Sequence, residues 1–171
     1  PFCERLSHNE SVPQISSASY SMNHVLGQGA SGVISHANWL DKDFDFPAEV
    51  AVKVFKGEVT SDGYPQDELQ ACLQAGHHTN LVKSIAQLSE DNHLALVMEL
   101  IPSDYFNLGS PPTLNTCTRD VFKPEFILSA KKIEYIVDQM LNVFSHLHDN
   151  KVCHGDLYAH NVLINAQGEM I

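Results

Sequence analysis

Three glycines at G-x-G-x-x-G spacing, Gly27, Gly29 and Gly32, are followed by more strand-forming sequence and not by a helix. That continuation removes most of the folds such a spacing serves, because in a dinucleotide-binding turn the glycines lead into a helix. Here Val33-Ile34-Ser35 and His36-Ala37-Asn38-Trp39 keep a β-type pattern, which predicts a strand–loop–strand flap. In Leu26-Gly27-Gln28-Gly29-Ala30-Ser31-Gly32-Val33 the absence of Cβ atoms lets backbone amides approach phosphate oxygens. A plain glycine-rich hairpin has the same spacing, so the rest of the chain must decide between them.

The next segment is Glu49-Val50-Ala51-Val52-Lys53-Val54-Phe55. Val50, Val52 and Val54 alternate with Ala51, Lys53 and Phe55, which predicts a strand with two distinct faces. A lysine in so apolar a strand needs an anionic partner unless it faces solvent at an edge. Downstream, Asp67-Glu68-Leu69-Gln70-Ala71-Cys72-Leu73-Gln74 reads as a helix ending at Gly76. Leu69, Cys72 and Leu73 fall at i, i+3 and i+4 and define its buried face. Glu68 is the best candidate partner for Lys53, with Asp67 and Glu58 as rivals.

The clearest helix comes later. Ile133, Ile136, Val137, Met140, Leu141, Phe144 and Leu147 step by three and four residues over about four turns, and Ser129 can cap the start. This helix delivers the chain to His154-Gly155-Asp156-Leu157-Tyr158-Ala159-His160-Asn161. An Asp five positions before an Asn suits phosphoryl transfer. The carboxylate can orient a hydroxyl and accept its proton, and the amide oxygen can ligate Mg²⁺.

Composition narrows the partners. The 171 residues carry a net charge of −11 and are 43% hydrophobic, enough for one domain with a real core. The acidic balance argues against nucleic acid or an anionic membrane as the main partner. No run is apolar and long enough to span a membrane. The four cysteines, Cys3, Cys72, Cys117 and Cys153, lack C-x-x-C spacing and read as reduced thiols of a cytoplasmic protein. Among ten histidines, His77-His78 and His146-x-His148 are the nearest pairs, too few ligands for zinc. Residues 1–19 are polar and Ser-rich and read as a linker or the tail of an upstream module. Residues 20–101 read as a mostly antiparallel sheet with one helix. Residues 102–129, with Pro102, Pro111, Pro112 and Pro124, read as an irregular insertion.

Taken together, the glycine loop, Val-Ala-Val-Lys, the helix Glu and His-Gly-Asp-x4-Asn resemble the protein kinase fold. His78-Thr79-Asn80-Leu81-Val82 resembles the turn after its regulatory helix, and Leu94-Ala95-Leu96-Val97-Met98-Glu99-Leu100-Ile101 its last small-lobe strand and hinge. The resemblance runs from about Tyr20 to the end of the chain. It implies an α+β fold: a small lobe over residues 20–101 and the first, helical part of a large lobe over 102–171. More narrowly, the stretches Asn107-Leu108-Gly109-Ser110-Pro111-Pro112, Thr118-Arg119-Asp120-Val121-Phe122 and the His154-to-Asn161 motif are similar to bacterial kinases preceded by leucine-rich repeats.

The resemblance also implies roles. Leu26, Val33, Ala51 and Leu163 would enclose adenine, and the backbone of Glu99 and Ile101 would bond its edge. Met98 would be the gatekeeper. The loop from Gly27 through Gln28 and Gly29 to Gly32 would cover the phosphates of ATP. Lys53, held by Glu68, would position the α- and β-phosphates. Asp156 would orient a protein hydroxyl, and Asn161 would ligate Mg²⁺. The chain departs from the family pattern at Gly155, where an Arg commonly pairs with a phosphorylated activation loop, which suggests independence from that switch. Tyr158 stands where many serine/threonine kinases place a Lys, and nearby His160 either substitutes for it or bonds within the loop. The Mg²⁺-binding Asp-Phe-Gly is expected just beyond Ile171, so these 171 residues alone are expected to be inactive. His-Gly-Asp also typifies aminoglycoside and choline phosphotransferases, and a nucleotide-binding pseudokinase is a further reading.

Overall fold

The β-type pattern of residues 20–101 becomes one antiparallel sheet in a computed structural model of the chain, which describes residues 12–57, 63–90, 93–117 and 120–171. Glu58, Cys3, Thr118 and Arg119, invoked above, lie outside the described residues, as do positions 1–11 of the predicted linker. The chain divides into two compact units, residues 1–76 with 83–100, and residues 77–82 with 101–171.

The first unit is built on strands β1 (Tyr20–Gln28), β2 (Gly32–Trp39), β3 (Glu49–Phe55), β4 (Ser84–Glu90) and β5 (His93–Glu99), with helix α1 (Pro65–Ala75). The strand order is β1-β2-β3-β5-β4, and every pairing is antiparallel. Both faces of the sheet are covered, which explains the near-continuous apolar run of β5. Val50, Val52, Ala95 and Val97 pack with Ala37, Ala86 and Leu88 on one side. Phe55, Leu94 and Leu96 pack with Leu69, Cys72 and Leu73 of α1 on the other. Fully burying a Leu or Val side chain contributes about 1.5–3 kcal/mol, and Leu96, Val50, Val52 and Val97 are all fully buried. The α1 stripe is thus the one the spacing predicts. Pro65 at the first helical turn and Gly76 at φ 68° set its limits.

Residues 12–15 run beside β4. Ile15 N–H donates to Gln87 O, Gln87 N–H donates to Pro13 O, and Ile15 is buried in the first cluster. Ser19 donates to Asp41 Oδ2 at 3.0 Å.

The second unit holds helix α2 (Ala130–Asp149), two short paired strands, β6 (Phe106–Asn107) and β7 (Leu163–Ile164), and a 3₁₀ turn over Ala159–Asn161. Ser129 Oγ accepts from Lys132 N–H at 3.3 Å and caps α2 as expected. The core side of α2 takes only part of the periodic stripe. Ile136, Val143 and Leu147 are buried, with Met140 and Phe144 packed beside them. Ile133, Val137 and Leu141 are exposed. At about 100° per residue, Ile133, Val137 and Leu141 sit roughly 60°, 100° and 140° around the helix from Ile136, whereas Val143 sits about 20° from it and joins the core. Asn80 ties residues 77–82 into this unit, donating from Nδ2 to Gln139 Oε1 at 3.0 Å and to Met170 O at 2.7 Å. The segment 102–129 is irregular, but β6 and an isolated Ser110–Val121 bridge pin it down.

Candidate active site

In the first unit the alternation of β3 puts Lys53 on the α1 side, in register with Leu96 of β5. Its Nζ donates to Glu68 Oε1 and lies 4.9 Å from the Phe55 ring centroid. Asp67 is exposed and makes no such bond. The Lys53 and Glu68 side chains are 17% and 26% exposed, so water screens the pair only in part. Ser31 Oγ donates to the same Glu68 Oε1 at 3.2 Å. The glycine loop is therefore tethered to the ion pair, and Lys56 Nζ adds a bond to Gly29 O at 2.9 Å. Neither Ser31 nor Lys56 was singled out from the sequence, although a hydroxyl inside a glycine loop is a visible polar handle.

The three glycines do different work. A Cβ added at Gly27 or Gly29 would meet no atom within 4 Å, so the backbone there borders open space that a phosphate can enter. At Gly32 it would lie 2.4 Å from Val54 O. Gly32 is required by the close β2–β3 approach. Leu26 and Gln28 are exposed at the end of β1, Val33 is half-buried in β2, and Ala51 is buried in β3. Met98 packs against the α1-side cluster. Glu99 N–H donates to Lys83 O at 3.0 Å, so any bond from Glu99 backbone to a bound base falls to its carbonyl. A shallow hollow of about 700 Å³, bordered by Val12, Phe46, Pro47 and Lys83, includes Glu99 but none of the other predicted site residues.

In the second unit Asn161 Nδ2 donates to Asp156 O at 2.9 Å and to Asp156 Oδ2 at 2.8 Å. The carboxylate and the amide are thus joined directly, both exposed. Asp156 N–H donates to His154 Nδ1 at 3.3 Å, and Gly155 between them takes φ 78°, a conformation that glycine adopts without steric cost. Leu163 lies in β7, next to the loop, and Ile101 is half-buried just before it turns into the 102–129 segment. A cavity of about 170 Å³ is bordered by Leu147, His154, Leu157, Asn161 and Leu163.

The largest omission of the sequence reading is Asp120. Its Oδ2 accepts from Ala159 N–H at 2.6 Å, and its Oδ1 is bonded to His160 Nδ1 at 2.5 Å. The bond from His160 is the main cause that holds its carboxyl below the usual carboxylate range; burial opposes it, and the bond from Ala159 N–H adds to the lowering. His160 is thereby occupied within the loop, and the Tyr158 ring stacks on it at 5.3 Å. Nothing periodic marks Asp120, because its partners lie some forty positions away in irregular chain. Among the described residues no group of three or more His, Cys, Asp or Glu side chains is placed to hold a metal ion, and no helix is long and apolar enough to cross a membrane. Cys72, Cys117 and Cys153 are free thiols, and burial raises the Cys72 pKa above its ordinary value.

Comparison with known proteins gives these two sites a context. The protein kinase domain family profile matches residues 20–171. The chain is 25% identical over 154 residues to fibroblast growth factor receptor 1 of Xenopus laevis, covering 85% of this chain and 19% of that protein. It is 28% identical over 141 residues to mitogen-activated protein kinase kinase kinase 6 of Homo sapiens, covering 82% and 10%. It is 30% identical over 148 residues to tyrosine-protein kinase STYK1 of Mus musculus, covering 82% and 33%. The chain thus spans a third or less of the length of these curated relatives.

Proposed function

This chain belongs to the protein kinase domain family, and from that premise we propose that the protein transfers the γ-phosphate of ATP to a protein hydroxyl. The observation that carries the reading is the Lys53–Glu68 ion pair with the glycine loop tethered to it through Ser31. A cation so held is preorganised for phosphate oxygens and needs no rearrangement to meet them. Glu68 fixes the ammonium, and the backbone at Gly27 and Gly29 opens onto space for the phosphates. In the first unit Leu26, Val33 and Ala51 supply apolar surface for a base, with Met98 limiting its depth and the Glu99 carbonyl bonding its edge.

In the second unit Asp156 orients the acceptor hydroxyl and takes its proton as the new oxygen–phosphorus bond forms and ADP departs. The Asn161 side chain holds the Asp156 carboxylate in place through Nδ2, which leaves its Oδ1 as a metal ligand. Carboxylate and amide oxygens are hard donors that suit Mg²⁺, which when bound supplies charge neutralisation on the phosphates. The free thiols support a reducing, cytoplasmic setting. The finer likeness to bacterial kinases behind leucine-rich repeats is supported by the sequence stretches at 107–112, 118–122 and 154–161, whereas the relatives named above are vertebrate proteins.

The test uses the complete protein with radiolabelled Mg-ATP, generic protein acceptors and small amino alcohols, and Asp156→Asn as control. Label on protein that disappears in the variant is the expected result. Label on the amino alcohol moves the protein to the small-molecule phosphotransferases. ATP binding without transfer makes it a nucleotide-binding pseudokinase. Label that persists in Asp156→Asn removes Asp156 from the chemistry.

A further inference from the structure

We propose that Asp120 is a positioning residue for the loop that carries Asp156 and Asn161, acting through a two-pronged grip on Ala159 N–H and His160 Nδ1. The grip itself is geometric, and only its consequence for phosphoryl transfer rests on the kinase reading.

Ala159 and His160, the first two residues of the 3₁₀ turn, are bonded by one stretch of chain. Asp120 takes the Ala159 N–H at 2.6 Å and the His160 ring at 2.5 Å. Gly109 N–H donates to Ala159 O at 3.0 Å, and Asn107 Nδ2 donates to His160 O at 2.6 Å. Gly109 is needed for that approach, since a Cβ there would lie 2.9 Å from the Ala159 Cβ. Three residues of the segment before α2 thus hold both polar ends of Ala159 and of His160. The next residue is Asn161, whose amide bonds Asp156 at two atoms. A displacement of the turn therefore reaches the Asp156 carboxylate through one side chain, and a shift of about 1 Å at a reacting group can cost a hundredfold in rate. Asp120 differs from Asn107 and Gly109 because it bonds a side chain as well as the backbone. Its bond to His160 requires the imidazole proton on Nδ1, so the carboxylate selects the ring's orientation and tautomer. The Tyr158 ring, stacked on His160, is oriented with it.

The experiment uses the complete protein, Mg-ATP and casein, with kcat and the ATP KM measured separately. Exchange of backbone hydrogens is followed in the peptide spanning residues 157–162. Asp120→Ala is expected to lower kcat at least about tenfold, to leave the ATP KM within about twofold, and to speed exchange in that peptide but not in α2. His160→Asn, whose amide can replace the Nδ1 donor, is expected to keep kcat within about threefold. His160→Gln, whose amide falls nearer the Nε2 position, is expected to behave like Asp120→Ala. The double variant should be no worse than either single one, as for two halves of one contact. If Asp120→Ala does not fold, the two His160 variants decide the matter alone. Loss of kcat with unaltered exchange at 157–162, faster exchange with unaltered kcat, or equal behaviour of His160→Asn and His160→Gln would each overturn the proposal. If the parent protein transfers no phosphate, the kinase reading fails and the exchange data judge the grip by themselves: faster exchange sustains it, unaltered exchange refutes it.

Discussion

Lys53 and Asp156 are held by opposite means. Lys53 stands on a central strand, and its partner stands on a helix packed across the same sheet by Leu69, Cys72 and Leu73. Regular elements set its position, and their periods of 2 and 3.6 residues are written in the local sequence. Asp156 stands in a loop with φ 78° beside it at Gly155, steadied by Asn161 and, behind that, by Asn107, Gly109 and Asp120. No period governs that steadying. The two regions teach that a reactive side chain on a strand is located by burial of its neighbours, while one on a loop is located by hydrogen bonds from distant chain.

The sharpest way to break the comparison is Lys53→Ala in the complete protein. Transfer is expected to fall by at least about a hundredfold, since a preorganised charge at the phosphates is lost. The fold should survive, with a cost of about 1–3 kcal/mol for the partly buried Glu68 left with Ser31 as its donor. A transfer assay and thermal unfolding check both parts, and unaltered transfer would remove Lys53 from the site.

Within the glycine loop the comparison can be sharpened by two alanines. Gly32→Ala is expected to destabilise the first unit by about 1–3 kcal/mol through overpacking against Val54 O. Gly29→Ala should change stability by less than about 0.5 kcal/mol, while bulkier Gly29→Val should weaken ATP binding by obstructing the loop's open side. Denaturant titration and nucleotide binding distinguish the positions. Equal destabilisation by the two alanines would contradict the division of labour between them.

The smallest effect concerns acid. Asp120 is held below its ordinary pKa by the bonds from His160 and Ala159 N–H. A depressed carboxyl contributes stability that is complete above its unfolded pKa and is lost as pH falls through the folded one. The Tm difference between the parent and Asp120→Asn should therefore be full near neutrality and narrow below the ordinary carboxylate range. A difference independent of pH would mean that packing and not the carboxylate charge matters there.

Much of this was readable in advance, and the misses share a cause. The antiparallel sheet, the α1 stripe, the Ser129 cap and the Lys53–Glu68 pairing follow from alternation, helical spacing and a local capping rule. On α2 the spacing marks the helix but not its core: Ile133, Val137 and Leu141 share the stepping and are exposed, while Val143, off that stripe, is buried. Ile15 was missed inside a polar, Ser-rich stretch, because one buried residue per segment leaves no pattern. Ser31, Lys56 and Asp120 were missed because each bonds across tens of residues.

By itself the sequence determined the α+β architecture, the strand–loop–strand flap and the residue types offered for phosphate, proton and metal, since these depend on local period and chemistry. Only the tertiary structure decided that Gly32 is needed by β3 and that Ser31 tethers its loop to the ion pair. It alone decided that Asp120 grips the turn beside Asn161. Those facts depend on which distant atoms come within hydrogen-bond or van der Waals reach, and that is settled when the whole core packs.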